Sequence, residues 1–189
     1  MCFHPVWSAI LADRADRAFV DGACDDSAVA RAAIAAKDRG NARQAIDLLG
    51  VGGEVAKKRG DDRADDSHIV EAQELVQRGR LRNRIRDQTQ HAQLLLETLA
   101  YLEEREQTPA RSKTIKTRYE TVADSHAVDP LTTLKSIQNH LSDLHMLGFL
   151  RRIDRNRGES GGRYYEYSLD LDPEIVLDIR GEIEAERDL

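Results

Sequence analysis

The sequence predicts a mainly α-helical protein in which a small helical bundle is followed by a winged-helix domain with one β-hairpin. Three observations carry this prediction. Several segments before residue 108 repeat apolar residues every three or four positions, the period of a helix that buries one face. Residues 131–144 show this period most clearly. Two segments, 149–155 and 163–169, then flank the glycine-containing stretch 156–162, as the strands of a hairpin do.

The bundle begins with three short amphipathic segments. Residues 1–8 show no clear periodicity and are not assigned to an element. The segments 9–20, 26–38 and 41–59 each carry an apolar stripe of helical spacing. The third ends in two lysines and an arginine, and cations favour the C-terminal end of a helix dipole. These segments therefore predict three helices that pack on one another.

Three glycines interrupt the third predicted helix, and a fourth helix follows it. Gly50, Gly52 and Gly53 weaken the middle of the third helix, because glycine costs about 1 kcal/mol relative to alanine in a helix interior. Ser67 is predicted to cap the fourth helix, whose apolar positions extend to Val76. Residues 9–86 thus predict a helical bundle that ends in a basic linker.

The basic linker is the run 78–86, which contains five arginines. We interpret it as a solvated connector or helix face, and the alternative is a linker that follows phosphates. A leucine-rich helix is predicted over 91–105 and a further helix over 112–124. Together with the hairpin, these helices predict a winged-helix domain.

The domain predicted over 87–180 contains the helix best suited to reading DNA. Asp129 and Pro130 predict its start, because an aspartate oxygen satisfies a free N–H there and proline needs no partner. Its stripe of Leu131, Leu134, Ile137, Leu141 and Leu144 is the predicted buried face. The opposite face is short and polar, with donors and acceptors that suit base edges and phosphates. We expect DNA contacts from Thr132, Thr133, Lys135, Ser136, Asn139 and His140.

The predicted hairpin adds positive charge near its tip. Arg155, Arg157 and Arg163 lie there, where guanidinium groups reach phosphates or a narrow minor groove. The alternative is an ordinary solvated turn with surface arginines. A polar helix face immediately before the hairpin favours the DNA-binding interpretation.

The distribution of charge matters more than its sum. The formal net charge is −6, yet residues 168–189 alone carry −6, and 181–189 are predicted to be an acidic tail. Residues 109–167 carry about +3, counted from ten Lys or Arg and seven Asp or Glu. The acidic total therefore does not exclude a nucleic-acid partner.

Other functional classes find little support in the residues. The sequence contains no phosphate-binding loop, no nucleophile elbow and no zinc-protease motif, so no catalytic centre is predicted. The six histidines lack the spacing of metal ligands, and no metal site is expected; His145 falls on the apolar side and is expected to be a satisfied, partly buried histidine. Cys2 and Cys24 lack paired spacing and indicate free thiols of a reducing compartment. With no apolar run long enough for a membrane helix, we expect a cytoplasmic protein that does not bind membranes.

Two stretches resemble one known family. Residues 37–59, with the run Gly-Asn-Ala-Arg-Gln-Ala from Gly40 to Ala45, resemble the second-sensor helix in the AAA+ lid of archaeal Orc/Cdc-type replication initiators. Residues 130–167, with the run Gly-Gly-Arg-Tyr-Tyr-Glu-Tyr, resemble the winged helix of the same family, particularly its haloarchaeal members. The resemblance covers roughly residues 9–180.

The resemblance implies roles that spacing alone does not. Arg43 matches the sensor arginine, which in family members approaches the γ-phosphate of ATP. The family's ATPase core would lie upstream of Met1, so ATP and Mg²⁺ are expected only in members with that core, and this chain is expected to need no cofactor. A truncated paralogue or a gene fragment is the expected origin of such a chain.

The residues and the resemblance together predict duplex DNA binding at replication-origin-like sites, without catalysis. One alternative is a protein-binding adaptor that docks on full-length initiators or the replicative helicase. A winged-helix transcription regulator is the other alternative, and the lid-like helix over 41–59 argues against it.

Overall fold

The computed structural model describes residues 13, 22–37, 42–156 and 162–187, which contain seven helices and three strands. The helices are α1 (Asp26–Lys37), α2 (Ala42–Arg59), α3 (Asp66–Arg86), α4 (Gln90–Glu104), α5 (Ser112–Ser125), α6 (Leu134–Met146) and α7 (Pro173–Arg187). The strands are β1 (Ala110–Arg111), β2 (Leu150–Asn156) and β3 (Arg163–Leu169). The predicted fold class, helices followed by a winged helix with a hairpin, is confirmed. Among the described helices, none combines the length and apolar character needed to cross a bilayer.

The chain divides into two compact units, Met1–Leu81 and Arg82–Leu189, and the boundary falls within α3. In the first unit, α1 and α2 pack through small and aliphatic residues that recur at helical spacing, as predicted. The core residues are Ala28, Val29, Ala32, Ala45, Leu48, Leu49, Ile69 and Ala72. The helix predicted over 9–20 and the unassigned residues 1–8 lie outside the described part, apart from Asp13.

The glycines of α2 do not interrupt it. A methyl group at Gly52 would collide with Cδ1 of the buried Ile69, so glycine permits α2 and α3 to approach closely there. A methyl group at Gly50 would meet nothing within 4 Å. Packing of the surrounding helix therefore outweighs the local cost of these residues.

The start and length of α3 differ from the prediction. Asp65, rather than Ser67, caps the helix, because its Oδ1 accepts hydrogen bonds from the backbone N–H of Ser67 and His68 at 2.9 and 3.3 Å. The Ser67 hydroxyl also donates to Asp65, and this hydrogen bond is the main reason that the pKa of Asp65 falls to about 2. The helix continues to Arg86, so the predicted linker is helical.

Two arginines of that run, Arg82 and Arg84, belong to the second unit, and each contacts other residues of the same unit. Arg82 Nε lies 3.1 Å from Glu182 Oε2, and a second contact joins Arg82 to Glu186. Arg84 donates to the carbonyl of Leu147 at 2.7 Å, and its guanidinium lies 4.5 Å from the centre of the Phe149 ring. The run is therefore the end of a helix, and these two of its arginines contact residues of the second unit.

In the second unit, α4 is the central helix. It is capped by Thr89, whose side chain accepts from the N–H of Ala92, and its leucines are buried as predicted. The helix contacts α5, α6, α7 and β3. Strand order is β1-β3-β2 with both pairs antiparallel, and Leu150 faces Leu169 at the base of the hairpin.

The prediction of an acidic tail from residue 181 is wrong, because α7 extends to Arg187. Val176, Ile179 and Ile183 are buried at helical spacing and supply the packing energy. Arg180 lies on the same stripe and is only 2% exposed. Its carboxylate and amide partners on α4 make this burial possible, and the acidic residues of α7 other than Glu184 are exposed.

Candidate nucleic-acid interface

The helix α6 begins four residues after the predicted start. Residues 129–133 are not helical, and Thr133 is the N-cap, accepting a hydrogen bond from the N–H of Ser136 at 3.1 Å. The N–H of Leu131 donates to Tyr119 Oη at 3.2 Å, and this contact to α5 keeps the preceding segment out of the helix. The predicted helix start at Asp129 and Pro130 is thus wrong. The cap at Thr133 and the hydrogen bond between Leu131 and Tyr119 determine the start instead of the Asp-Pro sequence.

This start changes the roles of two predicted DNA contacts. Thr132 precedes the helix and is exposed. Thr133 and Ser136 share a hydrogen bond of 2.7 Å between their hydroxyl groups, so both side chains contribute to the cap. The predicted buried stripe is correct for Ile137, Leu141 and Leu144, whereas Leu134 is 39% exposed.

Downstream of the cap, α6 keeps the predicted polar face. Lys135 and Asn139 are exposed, and Gln138 between them is exposed as well. His145 is half-buried and lies 2.9 Å from the carbonyl of Leu150 through Nδ1, which confirms the expectation of a satisfied histidine. The face therefore presents one cation and two amides to solvent, the groups that contact phosphates and base edges.

His140 is a neutral member of this surface. Burial lowers its pKa, and the neighbouring His91, whose ring centre lies 6.3 Å away, lowers it further. Since an ordinary histidine is already mostly neutral at pH 7, His140 acts there as a hydrogen-bonding group and not as a cation. His91 in turn lies 2.8 Å from Tyr119 Oη through Nδ1.

On the hairpin, the predicted arginines are paired with acids. Arg163 donates from Nε to Asp154 at 2.7 Å, and this hydrogen bond lowers the pKa of the Asp154 carboxyl. Arg155 donates from Nε to Glu166 Oε2 at 3.0 Å. Arg157 lies outside the described residues. An anionic ligand would have to compete with carboxylates for the arginines that the structure describes, although exposed ion pairs of this kind are worth only about 0–1 kcal/mol.

Three further arginines, which were not among the predicted DNA contacts, lie on the sheet. Arg111 stacks on Tyr164 with 3.9 Å between guanidinium carbon and ring centre, and Arg152 stacks on Tyr165 at 4.5 Å. Arg151 pairs with Asp170 at 2.5 Å. The sequence signal for the two on β2 is that three of its seven residues are arginines, whereas Arg111 lies in a two-residue strand that has no local signature.

The candidate residues fall in both units. All those proposed for DNA lie on α6, just before it, or on the hairpin, which belong to the second unit. Arg43 is exposed in the first turn of α2 in the first unit. The second unit therefore carries cations that suit phosphates and amides that suit base edges. The helix α6, which carries the amides, packs directly on the strand β2 of the hairpin.

Comparison with protein families matches two models to successive parts of the chain. The model described as "Cdc6 AAA+ ATPase-type lid domain" matches residues 8–74. The model described as "CDC6, C terminal winged helix domain" matches residues 83–179.

Relatives and a solved structure agree with these matches. The chain is 40% identical over 169 residues to "ORC1-type DNA replication protein 11" of Haloarcula marismortui, covering 89% of this chain and 41% of the relative. It is 41% identical over 168 residues to "ORC1-type DNA replication protein 8" of Halobacterium salinarum, covering 88% and 42%. The Aeropyrum pernix ORC1 protein, solved in complex with DNA, is similar over 100% of this chain and 49% of its own, with a TM-score of 0.74 and 32% identity. The chain thus spans less than half the length of these proteins.

Proposed function

The chain belongs to the Cdc6/ORC1-type family of DNA replication proteins, and from this premise we propose that it binds duplex DNA at replication-origin-like sites. The observation that carries the proposal is the exposed face of α6, with Lys135 and Asn139, in the same compact unit as an arginine-bearing hairpin. The Aeropyrum pernix protein of similar fold was solved in complex with DNA, which supports duplex DNA as the partner. Origin-like sequences are proposed from the replication role named for the relatives.

The division of labour follows from the chemistry of the two elements. Asn139 lies on a helix, and an amide there pairs with adenine in the major groove through two hydrogen bonds. Lys135, Arg155 and Arg163 contact phosphates, which supply affinity without sequence information. Thr132, Thr133 and Ser136 are proposed to add neutral hydrogen bonds around the start of α6, and His140 is proposed to add one from the middle of this helix.

The affinity is expected to depend steeply on salt. If Lys135, Arg155 and Arg163 each displace a counterion, raising salt from 50 to 200 mM should weaken binding on the order of 40-fold. Fluorescence anisotropy of a labelled duplex, measured across that range, checks this expectation. Absence of binding at low salt, or binding that salt does not change, contradicts the proposal.

A protein-binding adaptor is the second candidate, and one observation favours it. Met146 and Leu147, at the C-terminal end of α6, are 80% and 50% exposed, and exposed apolar groups often mark protein contacts. The partners would be full-length initiators or the replicative helicase. Co-elution with a full-length initiator in gel filtration, without DNA binding, would favour the adaptor.

A transcription regulator would use the same DNA-binding face, and binding sites mapped to promoters instead of origins would indicate it.

For the lid, we propose that Arg43 contacts nucleotide only when an ATPase core is supplied to it. The 189 residues contain no phosphate-binding loop to hold ATP beside this arginine. The chain by itself is therefore expected to show no ATP binding in calorimetry with Mg-ATP. Micromolar binding would contradict this expectation.

A further inference from the structure

The outer face of the three-stranded sheet carries an arrangement of two arginines around one carboxylate. Arg111 of β1 and Arg155 of β2 flank Glu166 of β3, since the sheet order is β1-β3-β2. Strand pairing places Arg111 directly opposite Glu166, and Arg155 directly opposite Tyr164 on the same face. Arg155 Nε contacts Glu166 Oε2 at 3.0 Å, and Arg111 Nε lies 3.7 Å from Oε1. One carboxylate thus divides its two oxygens between two guanidinium groups.

The charges in this arrangement do not cancel. Two cations share one anion, which leaves a net charge of about +1 on a small surface. Both contacts use Nε, and within the described residues the Nη groups of Arg111 and Arg155 have no hydrogen-bond partner. Each guanidinium therefore keeps up to four N–H donors for an anion.

The arginines are also restrained before any ligand arrives. The Arg111 guanidinium stacks on the Tyr164 ring at 3.9 Å, which limits the planes that it can adopt. The Glu166 side chain is only 16% exposed, whereas those of Arg111 and Arg155 are 41% and 49% exposed. Glu166 is thus mostly buried, while the N–H groups of the two arginines remain accessible. Because the arginines are already held in place, they lose less conformational entropy when an anion binds.

We propose that Arg111 and Arg155, held by Glu166 and Tyr164, form a paired-arginine clamp for a DNA backbone phosphate. This inference rests on the proposed DNA-binding function and adds to it a contact residue outside α6 and the hairpin. In the clamp Glu166 is a positioning residue that also limits affinity, because its negative charge remains close to the bound phosphate. A backbone phosphate fits better than a base edge, since forked donors match phosphate oxygens and carry no sequence preference.

Replacement of Arg111 tests the contact. Arg111→Ala is expected to weaken binding of a labelled duplex roughly three- to tenfold and to reduce the salt slope by about 0.9. The matched control is Arg86→Ala, which removes the same charge from an exposed arginine at the end of α3, separated from β1 in the chain by the whole of α4. This control should change the affinity less than twofold. Equal effects of the two substitutions would mean that Arg111 acts only through the overall positive charge of the protein, and this result would overturn the clamp.

Replacement of Glu166 tests the arrangement of the pair. Glu166→Gln keeps an oxygen for the arginines and removes the repulsion, so affinity should rise roughly threefold or more. In the double variant Arg111→Ala with Glu166→Gln, most of this gain should disappear. A fall in affinity for Glu166→Gln, or an equal gain with and without Arg111, overturns the proposal.

Failure of the clamp is distinguishable from failure of the proposed function. If the unaltered chain does not bind duplex DNA at low salt, the function itself is wrong. If it binds and loses affinity with Lys135→Ala but not with Arg111→Ala, only the clamp is wrong. Near-ultraviolet circular dichroism confirms that each variant is folded, because all five tyrosines lie in the second unit.

Discussion

Arg180→Ala is expected to destabilise the second unit by about 3–5 kcal/mol, the cost of leaving a buried charge without its partner. Arg180 of α7 is 2% exposed, and its Nε lies 3.2 Å from Glu97 Oε2 of α4. Nη1 donates to Gln93 at 2.8 Å, and Nη2 contacts Glu184 at 3.3 Å. Without the guanidinium, that carboxylate keeps its contact with His126, whose Nε2 lies 2.9 Å from Glu97 Oε1, and loses the permanent cation beside it.

Urea unfolding followed by the tyrosine signal measures this effect in the correct unit. Arg187→Ala is the matched control, because it removes the same charge from the same helix where the side chain is 39% exposed. The control should cost less than about 1 kcal/mol. In a double variant, Arg180→Met with Glu97→Gln, no charge is left unpaired, and the loss should be smaller than for Arg180→Ala alone. Similar losses for Arg180→Ala and Arg187→Ala would contradict the assignment of this network as a structural element.

Arg180 also shows why α7 was not predicted from the sequence. Val176, Ile179 and Ile183 do have helical spacing, but an arginine occupies the stripe between them and acidic residues surround it. The apolar signal is therefore short, and the charge pattern favours a solvated tail. Only the partners on α4, more than 80 residues earlier in the chain, make the arginine compatible with burial.

The spacing of apolar residues was sufficient to predict the buried residues of helices that bury a single face. The leucines of α4 and the stripe from Ile137 to Leu144 repeat every three or four residues, and both are buried. The strand β1 consists of two residues whose only definition is pairing with β3, so no local pattern reveals it. The start of α6 likewise depends on Tyr119, a residue of another helix.

The sequence was sufficient to predict which residue types form the candidate site, but not which of its arginines are paired with acids. The hairpin arginines and the polar face of α6 follow from composition and spacing. The pairing of Arg163 with Asp154 and of Arg155 with Glu166 depends on strand register, which a hairpin loop of uncertain length does not fix in advance. For the same reason Arg111, which reaches the sheet from before α5, was not selected.

Replacing Asn139 and replacing Arg163 are expected to affect different properties of DNA binding. Asn139 is exposed on α6, where two hydrogen bonds to adenine contribute roughly 1–3 kcal/mol of discrimination between bases. Asn139→Ala should therefore reduce the preference for an origin-derived duplex over a scrambled one by roughly 5- to 150-fold. Binding to the scrambled duplex should change little. Gln107→Ala is the matched control, because it removes an exposed amide outside α6, and it should affect the preference less.

Arg163→Ala should instead weaken binding to both duplexes alike. Arg163 lies at the start of β3 and pairs with Asp154, and its substitution both removes a cation and leaves that carboxylate facing the DNA. The salt slope should fall by about 1, as expected for the loss of one phosphate contact. Asp154→Asn is the complementary variant, and it should strengthen binding to both duplexes because it removes the negative charge of the carboxylate that competes for Arg163.

Competition binding of these variants against the two duplexes decides between two ways of finding a site. If Asn139→Ala flattens the preference and Arg163→Ala does not, α6 reads bases while the hairpin anchors the protein to the backbone. If Arg163→Ala erases the preference and Asn139→Ala leaves it intact, the assignment is reversed. An arginine in a narrow minor groove senses the shape of the duplex through its electrostatic potential, so groove shape would then be the better account of how this protein selects DNA.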